Sequence, residues 1–187
     1  MALIEARNDF DANEQERIAA LRRMGAGDVR EVARMLDEML PLDHPVDCRV
    51  AFTLHSASAI SLDLELPEPS VLPQTEAKLL ASGKVAYKEK PARRLQEQYV
   101  RLIAGLALRY ASEVMLNVPT CQVVEVRGHR NLIEPSLGVA QNRLVFEVKM
   151  DYPTLKPMTM PDIDPVAALR HFPHRINLDR SRGLLPL

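Results

Sequence analysis

The chain has 187 residues, of which 47% are hydrophobic and 26% are charged, and its formal net charge is −1. This length suits one domain with a core of its own, and the composition excludes a disordered chain. A net charge near zero excludes a global field that would draw the chain to nucleic acid or to an anionic membrane. The chain has no Trp, four Phe and four Tyr, so aliphatic side chains must fill the core and a deep aromatic ligand pocket is not expected.

Cysteine usage and the amino terminus favour a cytoplasmic protein. Cys48 and Cys121 lie in apolar runs without Cys-x-x-Cys spacing, as buried free thiols do in a reducing compartment. The first residues, "MALIEARNDF", carry charges and no long apolar stretch, so neither a signal peptide nor a spanning helix is expected.

Helical spacing dominates residues 1–40, which we interpret as a helical arm or connector. A mostly solvated helix is predicted over 11–24, and a second over 29–40, with Asp28 as its cap. The period then changes to two within residues 48–67, which predicts a β-hairpin that turns near "HSAS". Residues 41–187 are predicted to form an α+β domain.

A proline-dotted excursion, residues 67–92, separates this hairpin from the strongest helical pattern, residues 93–118. A short helix over "TEAKLLAS" is predicted within the excursion, with Thr75 as its cap. Two further alternating segments, "CQVVEVRG" and "NRLVFEVKMD", predict strands, and a last helix is predicted from Pro165 with Asp164 as its cap. The order ββαββα predicts an α+β fold: a four-stranded, mainly antiparallel sheet with helices packed on one face, plus the helical arm.

One triplet, Glu147-Val148-Lys149 in "RLVFEVKM", resembles the half-motif that closes the metal site of many restriction-type nucleases. In a metal-dependent nuclease, Asp63 or Glu65 of another strand would join Glu147 in binding Mg²⁺ or Mn²⁺, and Lys149 would stabilise the developing charge. The other interpretation is that these charges line the solvated face of a sheet, which is the commoner use of such a pattern. No nucleophile elbow and no phosphate-binding glycine loop is present, so no other enzyme class is favoured.

Irregular segments on a regular scaffold are where binding usually occurs, and two such segments are candidates. The first is the proline-rich excursion and the second is the basic carboxyl-terminal tail. Basic clusters in these loops also predict non-specific, salt-sensitive nucleic-acid binding as a further alternative. The binding candidates are Leu72, Tyr87, Lys88, Arg175, Arg180 and Arg182.

Several stretches taken together resemble an uncharacterised bacterial accessory domain. They are "LDLELPEPSVLPQTEAKLLASGK", "LQEQYVRLIAGLALRYASEVM", "DIDPVAALRHF" and the terminal "GLLPL". Domains of this kind lie carboxyl-terminal to restriction-endonuclease-like and other small modules, and the resemblance covers residues from about 28 to 187. It implies an accessory domain of an effector and transfers no catalytic residue. The strand that matches "RLVFEVKM" in such domains does not keep the Glu-x-Lys triplet, which weakens the nuclease hypothesis.

Our first hypothesis is therefore a non-catalytic interaction or sensing domain in a bacterial effector of the restriction or phage-defence kind. It requires no cofactor, binds a protein partner or a second copy of itself, and does not bind a membrane. The alternatives are the metal-dependent nuclease and non-specific nucleic-acid binding.

Overall fold

The computed structural model describes residues 2–41, 46–134, 136–179 and 183–187. The chain forms helices, a large sheet and a separate two-stranded hairpin. The helices are α1 Ala2–Gly25, α2 Val29–Met39, α3 Ala92–Asn117, α4 Tyr152–Leu155 and α5 Pro165–Leu169. The strands are β1 Arg49–Ser56, β2 Ala59–Glu65, β3 Thr75–Leu79, β4 Val85–Glu89, β5 Val123–Glu134, β6 Val139–Asp151, β7 His174–Asp179 and β8 Gly183–Leu185.

The main sheet has six strands in the order β1-β2-β5-β6-β7-β8. Neighbouring strands are antiparallel, except for β2 and β5, which are parallel. Parallel strands need a long crossover connection, and the segment between β2 and β5 that contains α3 provides it. The α+β class agrees with the prediction, but the four-strand count is wrong. The strands β7 and β8 were not predicted, because the polar sequence "HRINLD" has too weak an alternation and Gly183–Leu185 is too short to show any.

The excursion contains a strand where a helix was predicted. Residues 75–79 form β3, which pairs with β4 in a sheet of its own, so Thr75 does not cap a helix. The turn explains the difference. Gly83 has a φ of +77°, and its N–H bonds to the carbonyl of Leu80. A glycine adopts this left-handed conformation without steric cost, and it allows the chain to reverse in a tight hairpin turn instead of continuing as a helix.

The core lies between one face of the main sheet and α2, α3 and α5. Alternate residues of the neighbouring strands β2 and β5, such as Leu62, Leu64 and Val126, are completely buried, as the period of two requires. The helix α3 contributes the longest buried stripe, in which Ala104, Ala107 and Ala111 are small enough to let the helix lie close to its neighbours. The other face of the sheet carries polar side chains.

The helical arm is continuous with this core at one end. The carboxyl-terminal half of α1 buries Ala20 and Met24, and α2 buries Val32 and Leu36 in the same cluster as the sheet. Two of the three predicted caps are confirmed: the Asp28 carboxylate accepts a hydrogen bond from the Arg30 N–H, and Asp164 accepts from the first turn of α5. The boundary proposed at residue 40 between an arm and a domain stays a prediction.

Four weakly acidic side chains, three of them buried and Cys48 half-buried, predict that the free energy of unfolding falls at alkaline pH. Burial raises the pKa of the Cys48 and Cys121 thiols from 9.0 to about 11, and that of the Tyr99 and Tyr110 hydroxyls from 10.0 to about 12. The unfolded chain therefore loses these protons first, and stability decreases from about pH 9 to about pH 12. Urea denaturation across this range checks it, and Tyr99→Phe should make the decrease shallower. A free energy of unfolding that stays constant over that range would contradict the assignment.

Candidate functional site

The polar face of the main sheet carries charges of alternating sign in one row across the strands. Asp63 on β2 lies opposite Arg127 on β5, which lies opposite Glu147 on β6, which lies opposite Arg175 on β7. The Arg127 Nη2 is 2.6 Å from the Asp63 Oδ2, and His129 Nε2 lies 2.9 Å from the Asp63 Oδ1. Each carboxylate of this row therefore has a basic neighbour on the adjacent strand, and opposite charges at facing positions stabilise a sheet.

The next row of the same face is a hydrogen-bonded chain of neutral and charged groups. His55 Nε2 lies 2.8 Å from the Ser61 hydroxyl, and that hydroxyl donates to the Glu125 carboxylate over 3.0 Å. Ser61 is only 1% exposed. Here the serine lies between the histidine and the acid, whereas a catalytic triad places the histidine between the other two. The arrangement satisfies a buried hydroxyl and does not activate a nucleophile.

The residues of the nuclease hypothesis lie on this face but do not converge. The strand β5 and the Arg127 guanidinium separate Asp63 from Glu147. The backbones of Asp63 and Glu147 are thus two strand spacings apart, about 9.6 Å. A Mg²⁺ or Ca²⁺ ion binds its oxygen ligands within about 2.6 Å. The partner of Lys149 in the register is Glu125, and Glu65 lies 3.8 Å from Arg49. In the part of the chain that the structure describes, no three His, Cys, Asp or Glu side chains are grouped to hold a metal ion.

The β3–β4 hairpin presents an exposed apolar face. Register pairs Ala77 with Tyr87 and Leu79 with Val85, so these four side chains share one side of the hairpin. Tyr87 is 76% exposed, Leu79 72% and Val85 57%. We call these four residues the hairpin patch. A two-stranded hairpin is marginally stable in water by itself, and this one exposes the apolar side chains that could stabilise it.

Polar side chains join the base of the hairpin to α3. Glu76 forms an ion pair with Arg94, and the Lys90 ammonium donates to the side-chain amide oxygen Oε1 of Gln98 over 3.1 Å. These contacts lie on the side of the hairpin opposite the hairpin patch, where Lys78 and Lys88 also point. The hairpin is therefore held at its base while its apolar side faces solvent.

The other binding candidates lie apart from the hairpin patch. Leu72 is half-buried and packs against the core, and Arg175 lies on β7, 3.8 Å from Glu147 on the polar face of the main sheet. Lys88 is exposed on the side of β4 opposite Tyr87. Arg180 and Arg182 lie outside the described residues. Among the candidates that the structure describes, only Tyr87 and Lys88 lie on one element.

Sequence reasoning did not find the partners of these candidates. Leu79 and Val85 were assigned to a helix and a loop, so their pairing across a turn was not recognised. The predicted strand "CQVVEVRG" includes Arg127 but ends before His129, although Glu125, Arg127 and His129 alternate at a period of two. That alternation was the available signal that all three side chains share one face of a strand.

A cleft of about 950 Å³ lies between α3, α5 and β7. Its lining includes Arg94, Arg101, Arg170 and Asp164. Arg101 Nη2 is 2.5 Å from the Asp164 Oδ2, and Arg94 is paired with Glu76. Because Arg94 and Arg101 already have acidic partners, much of the positive charge in the cleft is compensated before any anionic ligand binds.

Comparisons of this chain with protein-family models, with curated proteins and with solved structures find no match. The resemblance to a bacterial accessory domain therefore stays a prediction. No helix in residues 2–41, 46–134, 136–179 and 183–187 combines the length and the apolar character that crossing a membrane requires.

Proposed function

We propose that this chain is a non-catalytic interaction domain that binds a protein partner through the hairpin patch. The observation that carries the proposal is the exposure of Leu79, Val85 and Tyr87 on one side of a hairpin that has a sheet of its own. Protein interfaces commonly centre on a buried aromatic side chain surrounded by aliphatic ones, and Tyr is enriched among the residues that contribute most to binding.

The charge of the hairpin specifies the chemistry of the partner. Residues 75–90 contain four lysines and two glutamates, and Glu76 is already paired with Arg94. Lys78 and Lys88 lie on the side opposite the hairpin patch and Lys84 lies in the turn. A partner that covers the hairpin patch with apolar side chains and extends carboxylates around the hairpin would complement both sides, and its charges would accelerate association at low salt. The setting that goes with the proposal is an accessory domain of a bacterial restriction or phage-defence effector, as the resemblance implies.

Replacing Tyr87 with Ser should weaken the binding of the partner at least tenfold, because the largest exposed side chain of the hairpin patch is lost. A photocrosslinking amino acid placed at position 87 of the full chain would first identify the partner in bacterial cells. Calorimetry with the purified partner would then measure its dissociation constant for the wild type and for the variant, at low and at high salt.

The matched control is Leu116→Ser, because Leu116 is also 76% exposed but lies at the end of α3. It should leave the dissociation constant unchanged. Equal affinities for Tyr87→Ser and the wild type would contradict the proposal. So would a crosslink at position 87 to nucleic acid, which would instead support binding of nucleic acid by the hairpin lysines.

A further inference from the structure

At one edge of the main sheet lies a long strand whose outer side pairs with no other strand among the residues that the structure describes. The strand β1, Arg49–Ser56, has eight residues and pairs only with β2. Within the described residues, no further backbone hydrogen bond reaches it. An edge of this length presents a row of N–H and C=O groups to which another strand can pair.

The two edges of the sheet differ in how they are protected. The opposite edge is β8, which has only three residues, and shortness is a common protection of edge strands. In contrast, β1 has neither a proline nor a lysine, and Arg49 at its first position is its only fully ionised side chain. Its irregularity lies at the far end, between Leu54 and Ser56. The central part of β1 is therefore open to pairing.

The apolar side of β1 is also incompletely covered. Val50, Phe52 and Leu54 pack against the core but are only half-buried, whereas their neighbours on β2, such as Leu62 and Leu64, are completely buried. The helix layer thus ends before it covers the edge strand. A strand added beside β1, with apolar side chains on the same side, would complete the core there.

The sequence of β1 is complementary to itself in one antiparallel register. With Phe52 on the two-fold axis, Val50 of one copy lies opposite Leu54 of the second copy, and the two Phe52 side chains face each other. On the polar side, Ala51 lies opposite Thr53 of the second copy, so no charges meet at the centre. Each Arg49 keeps Glu65 of its own copy as a neighbour at 3.8 Å. In this register Arg49 lies opposite His55 of the second copy, and Glu65 offsets the charge of Arg49 at that end of the strand.

From this geometry we infer that β1 is the interface for a second copy of the chain, which joins the two six-stranded sheets into one sheet across a two-fold axis. A closed symmetric interface of this kind uses the same surface on both copies. The inference concerns a surface different from the hairpin patch and does not depend on the proposed function.

Sedimentation equilibrium of the full chain tests this inference. The wild type should have twice the chain mass of 21.0 kDa at micromolar concentrations. Thr53→Lys adds an edge lysine whose side chain points to solvent on the polar side, and it should raise the dissociation constant of the dimer at least tenfold. Gln122→Lys, at an exposed position outside the strands, is the matched control and should leave the dimer intact.

The register is tested with two chains that each carry one added cysteine in a Cys48→Ala background, where the buried Cys121 is the only native thiol left. Ala51→Cys chains mixed with Thr53→Cys chains should form an oxidised dimer in much higher yield than either chain alone, because only the mixture brings the two positions opposite each other. A monomeric wild type, or equal yields from all three samples, would overturn the inference. A dimer that resists Thr53→Lys but dissociates on Tyr87→Ser would also overturn it and would place self-association at the hairpin patch.

Discussion

Replacing Phe146 with Ala should lower the free energy of unfolding by about 3–5 kcal/mol, the usual cost of removing a buried aromatic ring. Phe146 is 1% exposed and lies opposite Gly128 in the register of β5 and β6. A Cβ at Gly128 would lie 3.3 Å from the Phe146 Cδ1, so the ring packs directly on the glycine backbone. Because both strands are held in the sheet, the cavity cannot collapse easily.

Thermal and urea denaturation both measure this effect. In a domain of this size the melting temperature should fall by roughly 6–20 °C. Ile133→Ala is the control, because Ile133 is 71% exposed on the same pair of strands, and it should change stability by less than about 0.5 kcal/mol. A loss below 1 kcal/mol for Phe146→Ala would mean that the ring is not buried as described.

Removing the Asp63 carboxylate should cost about 1.5–3 kcal/mol, although it lies on the polar face of the sheet. Its two oxygens accept hydrogen bonds from Arg127 and His129, and all three side chains are at least two-thirds buried. Hydrogen bonds to partly buried charged groups contribute more to the free energy of unfolding than exposed ion pairs do. In Asp63→Ala the Arg127 guanidinium would lose its acceptor, and its Nε already lacks a partner among the described residues.

Urea denaturation of Asp63→Ala, Arg127→Ala and the double variant measures the coupling between the two residues. We expect the double variant to be less destabilised than the sum of the single changes, because the second removal leaves no unpaired charge. Glu65→Ala is the matched control, since Glu65 is more exposed and lies 3.8 Å from Arg49, and it should cost less than about 0.5 kcal/mol. Equal costs for Asp63→Ala and Glu65→Ala would contradict the assigned role of the row.

The central elements could be predicted from the sequence because burial imposes a period on them. Ile60, Leu62 and Leu64 alternate because only one face of β2 meets the helices, and the helix α3 shows its apolar positions at helical spacing for the same reason. The hairpin β3–β4 has little burial on either side and therefore has no such period. A short helix over "TEAKLLAS" with Thr75 as its cap is therefore predicted there, and the signal for the turn is Gly83.

The polar face shows a different limit of sequence reasoning. Alternation predicted that Glu147 and Lys149 point away from the core, and the structure places both on the polar face. What alternation cannot predict is which strand lies between two others. The position of β5 between β2 and β6 puts Arg127 between Asp63 and Glu147, and this order depends on the crossover through α3. The order of the strands therefore decides whether Asp63 lies next to the Glu147 carboxylate or next to the Arg127 guanidinium.

The parallel pairing of β2 with β5 also has a consequence for biosynthesis. Ala59 pairs with Val123, and Glu65 pairs with His129, so the middle of the sheet joins positions 64 residues apart. A ribosome adds about 5–20 residues per second, so roughly 3–13 s pass between the synthesis of the two strands. During that time β2 has no β5 beside it, and until residue 117 has been synthesised the aliphatic side of the β1–β2 hairpin also lacks a complete α3. A chaperone that binds extended apolar segments would therefore meet its substrate in this hairpin, and a nascent chain released before residue 92 would expose it permanently.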